Sequence, residues 1–238
     1  MKTPFPRLML FGALAVTSLP AAALEPFVAT YQAFNEGKLA GKATMKVVNT
    51  DGDRWRVDLG IRGNRGLAKL VALNIEQSTV FDAPSEVLRP LSQATVKHAV
   101  FIDKKTSGVF DWTARTARWQ GDLKESRTAP VPLQDGDMTG LLMNLAVIRD
   151  AEPGKTLAYR VVENGRAREH QYSVAGQTEI VNVDELSYDA MRVSRSNGGE
   201  TETVFWVASG VPTPIRILQR ENGQDTIDLR LVEYQGVQ

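Results

Sequence analysis

Leu133 to Arg149 reads LQDGDMTGLLMNLAVIR, the one long helical pattern in a chain that otherwise alternates like a β-protein. Met138, Leu141, Leu142, Leu145 and Ile148 recur at three- and four-residue steps, which places them on one apolar stripe. Asp137 stands where an N-cap belongs, its carboxylate able to accept the first free backbone N–H groups. Asp135 adds negative charge near the positive end of the helix dipole, and Arg149 lies near the negative end. Strand patterns flank this stretch on both sides. The expectation is a helix over 133–149 that covers or plugs a sheet built from two halves.

Working toward the N-terminus, Arg54 to Arg62 is the clearest strand: Trp55, Val57, Leu59 and Ile61 alternate with Arg54, Arg56, Asp58 and Arg62. Phe27–Phe34 and Lys38–Asn49 precede it as a hairpin through Asn35-Glu36-Gly37, and Asp51-Gly52 closes the next. Gly41 inside the second strand marks a bulge or a close backbone approach. Leu67–Val71 breaks the alternation as a loop or helical turn. Ile75–Phe81 and Val87–Val100 follow, with Pro90 suited only to an edge or a bulge. Gly108–Asp111 and Ala117–Gln120 form a hairpin, and Leu123–Val131 leads into the helix.

Beyond the helix, Pro153-Gly154 stops it. Asn164-Gly165 joins Thr156–Glu163 to Arg166–Val174, the strongest short hairpin signal available. Gln177–Val183, Ala190–Ser196 and Thr201–Ala208 are further strands, with a turn at Asn197-Gly198-Gly199. Asn222-Gly223 joins Ile215–Arg220 to Thr226–Glu233. About a dozen closely spaced strands predict a mainly β fold: an antiparallel curved sheet or open β-barrel with one main α-helix packed against it.

The first 23 residues stand apart from that fold. Lys2 and Arg7 precede an apolar run, Leu8–Leu19, and Ala21 and Ala23 supply small residues before a cut after Ala23. The run is shorter than the ~20 apolar residues that a spanning helix needs. Residues 1–23 are therefore expected to be an export signal, residues 24–238 a single β-rich domain without a transmembrane segment, and the destination the periplasm. The 238 residues include no cysteine, which excludes disulfides, thiol chemistry and lipid attachment through cysteine. With 28 basic against 28 acidic residues and no basic cluster, the chain carries no electrostatic footprint for nucleic acid.

Catalytic signals are sparse. The two histidines, His98 and His170, lie in alternating strands outside any metal-ligand spacing, so no metal and no cofactor is expected. Asp51-Gly52-Asp53 and Asp135-Gly136-Asp137 do not complete a calcium loop and are read as turn and cap chemistry. Neither a nucleophile elbow nor a phosphate-cradling glycine loop is present. Asp111, between Phe110 and Trp112, is the best candidate acid for glycoside chemistry, because aromatic neighbours would raise its pKa and stack on sugar rings. The other reading of Asp111 is an aspartate bonded to turn backbone. Trp55, Trp112, Trp119 and Trp206 could converge in one core or line a cavity closed by the helix. On the second reading Trp112, Trp119, Met138, Leu142, Leu145 and Trp206 are the candidate ligand-binding residues.

A set of short motifs in order resembles an exported bacterial family known only as domain-of-unknown-function family 3108. They are Pro26-Phe27-Val28-Ala29-Thr30-Tyr31, Gly41, Gly66-Leu67-Ala68, Leu88-Arg89-Pro90, Phe110-Asp111-Trp112, the Asp-capped helix with Gly154-Lys155, and Trp206 with Pro214-Ile215-Arg216. Asp184-Glu185-Leu186-Ser187-Tyr188 departs from the small-residue turn that the family tends to carry there. The resemblance implies an envelope protein, a fold similar to open-barrel lipoprotein carriers with a helix against the concave face, and no catalytic residues. Three functions stay open: a non-catalytic periplasmic protein binding an apolar or amphipathic ligand such as a lipid acyl chain, a glycan-binding or glycan-cleaving protein using Asp111 and the tryptophans, and a protein–protein scaffold with a filled interior.

Overall fold

The computed structural model describes residues 24–63, 74–84, 87–99, 102–183, 185–195 and 201–237. The expected leader, the Leu67–Val71 turn and the Asn197–Gly199 turn lie outside them. The strands β1 (Phe27–Asn35), β2 (Lys38–Asp51) and β3 (Arg54–Gly63) lead into β4 (Asn74–Asp82), β5 (Arg89–Ala99), β6 (Ile102–Asp111) and β7 (Thr116–Gly121). A two-residue strand, β8 (Val131–Pro132), precedes the helix α1 (Met143–Asp150). Then come β9 (Thr156–Glu163), β10 (Arg166–Val174), β11 (Glu179–Val183) and β12 (Leu186–Arg195). The chain finishes with β13 (Thr201–Ala208), β14 (Arg216–Glu221) and β15 (Gln224–Gly236).

Fourteen strands form one antiparallel path, β8-β7-β6-β5-β4-β3-β2-β1-β15-β14-β13-β12-β10-β9, and β11 pairs beside β10 on β12. The two halves join where β1 pairs β15, Phe27 opposite Gly236 and Phe34 opposite Asp228. Local chemistry sets the turns. Asn164-Gly165 and Asn222-Gly223 both adopt positive φ at both positions, as a primed hairpin turn requires. Pro90 sits at the irregularity between β4 and β5, where a missing N–H does least harm.

The sheet curls into a nearly closed barrel, and its seam is an overlap. Val161 and Val162 are sequential strand residues and so face opposite ways. Val161 joins the main core, whereas Val162 packs with Phe110, Ala117, Trp119, Val131 and Leu133. The inner face of β6–β7 therefore lies over the outer face of the β9–β10 hairpin. The otherwise open edge of β9 is taken by Met138, which donates its N–H to the Arg160 carbonyl at 3.1 Å and accepts the Val162 N–H at 2.8 Å. Beside this bridge the Asp137 carboxylate, fully buried, accepts two bonds from the Arg160 guanidinium at 2.7 and 2.5 Å.

That seam corrects the expected helix. It starts at Met143 rather than Leu133, and Asp137 does not cap it. Leu133–Met138 is spent on closing the sheet: Asp137 accepts the Gln134 N–H at 2.8 Å within a turn through Gly136, and the ion pair with Arg160 fixes its carboxylate. The chain's entry into the helix is supported instead by Thr139, whose Oγ accepts the Leu142 N–H at 3.2 Å.

The main core fills the barrel's middle. Tyr31, Met45, Val57, Phe81, Tyr172, Phe205, Ile217 and Leu229 point inward from eight strands around the buried Leu141–Val147 segment. Tyr172 directs its hydroxyl to the Met143 sulfur at 3.7 Å, and burial raises its pKa to about 12. Tyr31 donates to the Pro214 carbonyl at 3.0 Å, tying β1 to the β13–β14 connection.

Candidate ligand cleft

At the end of the barrel where β1 begins and β13 and β15 finish, the core opens into a cleft of about 710 Å³. Three elements build it. Leu24, Pro26 and Phe27 form one wall at the entry to β1; Leu145, Ile148 and Ala151 form the second, from the C-terminal half of the helix. Val207, Ala208, Val211 and Pro212, from the end of β13 and the loop after it, form the third, with Met191 beside them. The helix ends where it does because Ala151 leaves helical geometry and Pro153-Gly154 follow, so its last turn faces the opening. Positive φ at Gly210 permits the tight loop between Ala208 and Val211.

The polar groups sit at the rim. Tyr234 donates to the Gly210 carbonyl at 3.3 Å, and Glu25 is exposed. Arg149 lies on the rim and bonds Asp150 at 2.6 and 2.8 Å. Asp150 also accepts the Tyr159 hydroxyl at 3.1 Å. Burial, then the neighbouring Asp150 charge, drives the Tyr159 pKa upward, so this phenol stays a donor. The cleft thus has an apolar interior and a rim of fixed polar groups.

The residues singled out from sequence scatter. Leu145 alone of the six lines this cleft. Leu142 is fully buried, and Met138 is the seam bridge. The four tryptophans divide between two clusters, Trp55 and Trp206 with the main core and Trp112 and Trp119 with the seam. Trp119 packs edge-on to Phe110 at 5.4 Å in the seam cluster, over Gly108, where any side chain would collide with the indole. Trp112 is at the edge of the same cluster and donates to the Pro90 carbonyl at 2.7 Å. Trp55 packs on the main core. Trp206 is buried and also belongs to the main core cluster; its indole N–H meets Glu179 and Arg216 stacks over it at 4.7 Å.

Asp111 is an exposed turn residue whose Oδ1 accepts the Ala114 N–H at 2.8 Å. His98 bonds Asp103 at 2.8 Å on an exposed strand pair. Among the described residues no group of three or more His, Asp or Glu side chains is placed to hold a metal. The cleft residues outside the helix carried no sequence signal of their own. Val207, Ala208, Val211 and Pro212 read as an ordinary strand end and turn.

A family model described as a protein of unknown function, DUF3108, matches residues 27–230. The chain belongs to that family. No curated protein matches it. Among solved structures, the β-barrel-like protein of domain of unknown function DUF1849 from Brucella abortus is similar in fold. The TM-score is 0.51 at 9% identity, over 90% of this chain and 99% of that one. The DUF3108 motifs of this chain have structural duties. Tyr31 bonds Pro214; Ile215 is fully buried; Arg216 is held between the Trp206 ring and the buried Asp228, at 2.8 and 2.9 Å. Among the described residues no helix is long and apolar enough to cross a membrane.

Proposed function

We propose that this DUF3108 protein is exported to the periplasm and there binds, without catalysis, an apolar or amphipathic ligand of the acyl-chain class in the cleft beside the helix's last turn. The observation that carries the reading is the cleft itself: about 710 Å³, walled by Leu24, Phe27, Leu145, Ile148, Met191 and Val207. That volume is within the roughly 300–1,000 Å³ usual for small-molecule sites, and an apolar interior with a few rim polar groups is their usual chemistry. Each methylene transferred from water would contribute about 0.8 kcal/mol. The rim of Glu25, Arg149 and Tyr234 leaves a polar head at the water boundary. The leader-like segment that ends at Ala23 supports the address.

The test is titration of a chain beginning at Leu24 with a fluorescent fatty acid, beside the same chain carrying Ile148→Glu. Ile148 is part-buried on the cleft wall and packs against the main core, so a carboxylate there opposes an acyl chain, and the Tm beside the parent's checks that the fold survives. Saturable binding by the parent and its loss in the variant, at unchanged Tm, is the expected result. Absence of binding by the parent, together with lipid-free mass spectra after gentle extraction, refutes the reading.

A further inference from the structure

Leu24 is the residue at which the leader and the cleft meet. It lines the cleft beside Glu25, Pro26 and Phe27, and its side chain packs against the main core. The last strand pins this segment: Phe27 pairs with Gly236, and the Pro26 carbonyl accepts the Val237 N–H at 3.0 Å. The expected export cut falls after Ala23, at the peptide bond that Leu24 itself closes. Hydrolysis there sends the oxygen of water to the Ala23 carboxylate and its two hydrogens to the Leu24 nitrogen. A neutral amide becomes an ammonium, since an α-amine ordinarily titrates at about 7.7–8.0. That nitrogen is ~1.5 Å from the Leu24 Cα, so the new charge arises on the cleft wall.

Before the cut, the rim disfavours a carboxylate. Among the described residues that line the cleft Arg149 is the only cation, and its guanidinium is bonded to Asp150 at 2.6 and 2.8 Å. Glu25, exposed on the same rim, is a second acid. Tyr234 is the remaining titratable side chain of the lining, and its hydroxyl donates to the Gly210 carbonyl at 3.3 Å. Asp150 and Glu25 against Arg149 leave one negative charge in excess, which an ammonium at Leu24 cancels. Because Leu24 packs on apolar wall residues, that ammonium is screened less than one on an open surface.

We propose that leader cleavage completes the ligand site: the freed Leu24 α-ammonium binds the carboxylate head of the acyl ligand, so that processing raises the affinity for a fatty acid. The assignment rests on the acyl-cleft reading above and adds to it the charge of the head group and the covalent step that creates its partner.

Titration with a fluorescent fatty acid and with its methyl ester tests this on two chains, one beginning at Leu24 with a free amine and one with that amine acetylated. Glu25, Arg149, Asp150 and Tyr234 are common to both, so a difference between the chains belongs to the amine. The acid should bind the free-amine chain about three- to tenfold more tightly, as a partly exposed ion pair implies, and the ester should bind the two equally. The advantage should fade as pH rises through about 7.7–8.0, where an α-amine loses its proton. A chain carrying Gly-Ser-Gly before Leu24 keeps the charge but moves it by up to roughly 10 Å, and should behave as the acetylated chain does. Equal affinity of the acid for both chains, or an equal loss of acid and ester on acetylation, overturns the proposal. So does tighter binding of a fatty amine than of the fatty acid by the free-amine chain, which would give the rim to Glu25. Ester binding by the free-amine chain in these cases leaves the acyl cleft standing, whereas failure of both probes with both chains removes the cleft and this proposal with it. An exported protein whose intact mass does not begin at Leu24 overturns it as well.

Discussion

Arg160→Ala should open the seam of the barrel. The substitution removes both bonds to Asp137 and the 3.2 Å bond from the guanidinium to the Pro132 carbonyl. It leaves behind a carboxylate whose side chain has no exposed surface and whose remaining donor is the Gln134 N–H. Breaking a buried pair from one side typically costs about 3–5 kcal/mol, because a charge stays desolvated without its partner. The Arg160 side chain is 17% exposed, so water enters the vacated space and the surviving Gln134 bond softens the loss; about 3 kcal/mol is the expected figure. For a domain this size that is roughly 6–12 °C in Tm. Urea unfolding measures it, and amide exchange locates it: the Met138 and Val162 N–H groups that bridge helix approach and β9 should lose protection first. The double variant D137N/R160M, which leaves no buried charge, should recover most of the stability. The exposed Arg115–Asp135 pair nearby provides the control, and Arg115→Ala should cause no measurable loss. If Arg160→Ala is as harmless as Arg115→Ala, or Met138 and Val162 keep full protection, the seam is not what closes this sheet.

Leu142→Ala should cost about 2–5 kcal/mol in urea unfolding and leave fatty-acid affinity unchanged, because Leu142 is fully buried and does not line the cleft. Lost binding with stability intact would return the residue to the ligand site. His170 makes stability fall with acid. Its folded pKa of about 4 lies below the usual 6.5 of the unfolded chain, so protons bind the unfolded state preferentially as pH drops through that window. The contribution is full above pH 6.5 and is lost as pH approaches 4; Tm measured across that range should fall less steeply in His170→Gln, and equal slopes would refute the assignment.

Much of the fold was legible because it rests on local chemistry with few solutions. Alternation in Arg54–Arg62 and the Asn164-Gly165 and Asn222-Gly223 turns each have one physical outcome, and of the edge or bulge that suits Pro90 the sheet has the irregularity. Gly41 belongs here too: a glycine inside a strand pattern signals a bulge or a close approach, and a side chain at that position would run into the Arg62 carbonyl across the β2–β3 pair. The helix was legible in kind and wrong in extent. Met138, Leu141, Leu142 and Leu145 are all buried as their spacing required. Burial periodicity alone does not distinguish a helical turn from a strand-like bridge when both face one core. Asp137 looked like a cap because its partner, Arg160, lies 23 residues away, and a long-range ion pair leaves no local trace.

The sites were less legible for a related reason. A barrel of antiparallel strands assembles its two ends from turns and strand termini that are remote in sequence, so neither end forms a motif. The cleft draws on Leu24–Phe27, Leu145–Ala151 and Val207–Pro212, three segments whose common property is where their strands and helix stop. Tryptophan, the residue that most invites a binding role, is used elsewhere: Trp119 seals the overlap and the buried Trp206 stacks under Arg216. Both duties suit a large rigid ring with one N–H better than a lining role does.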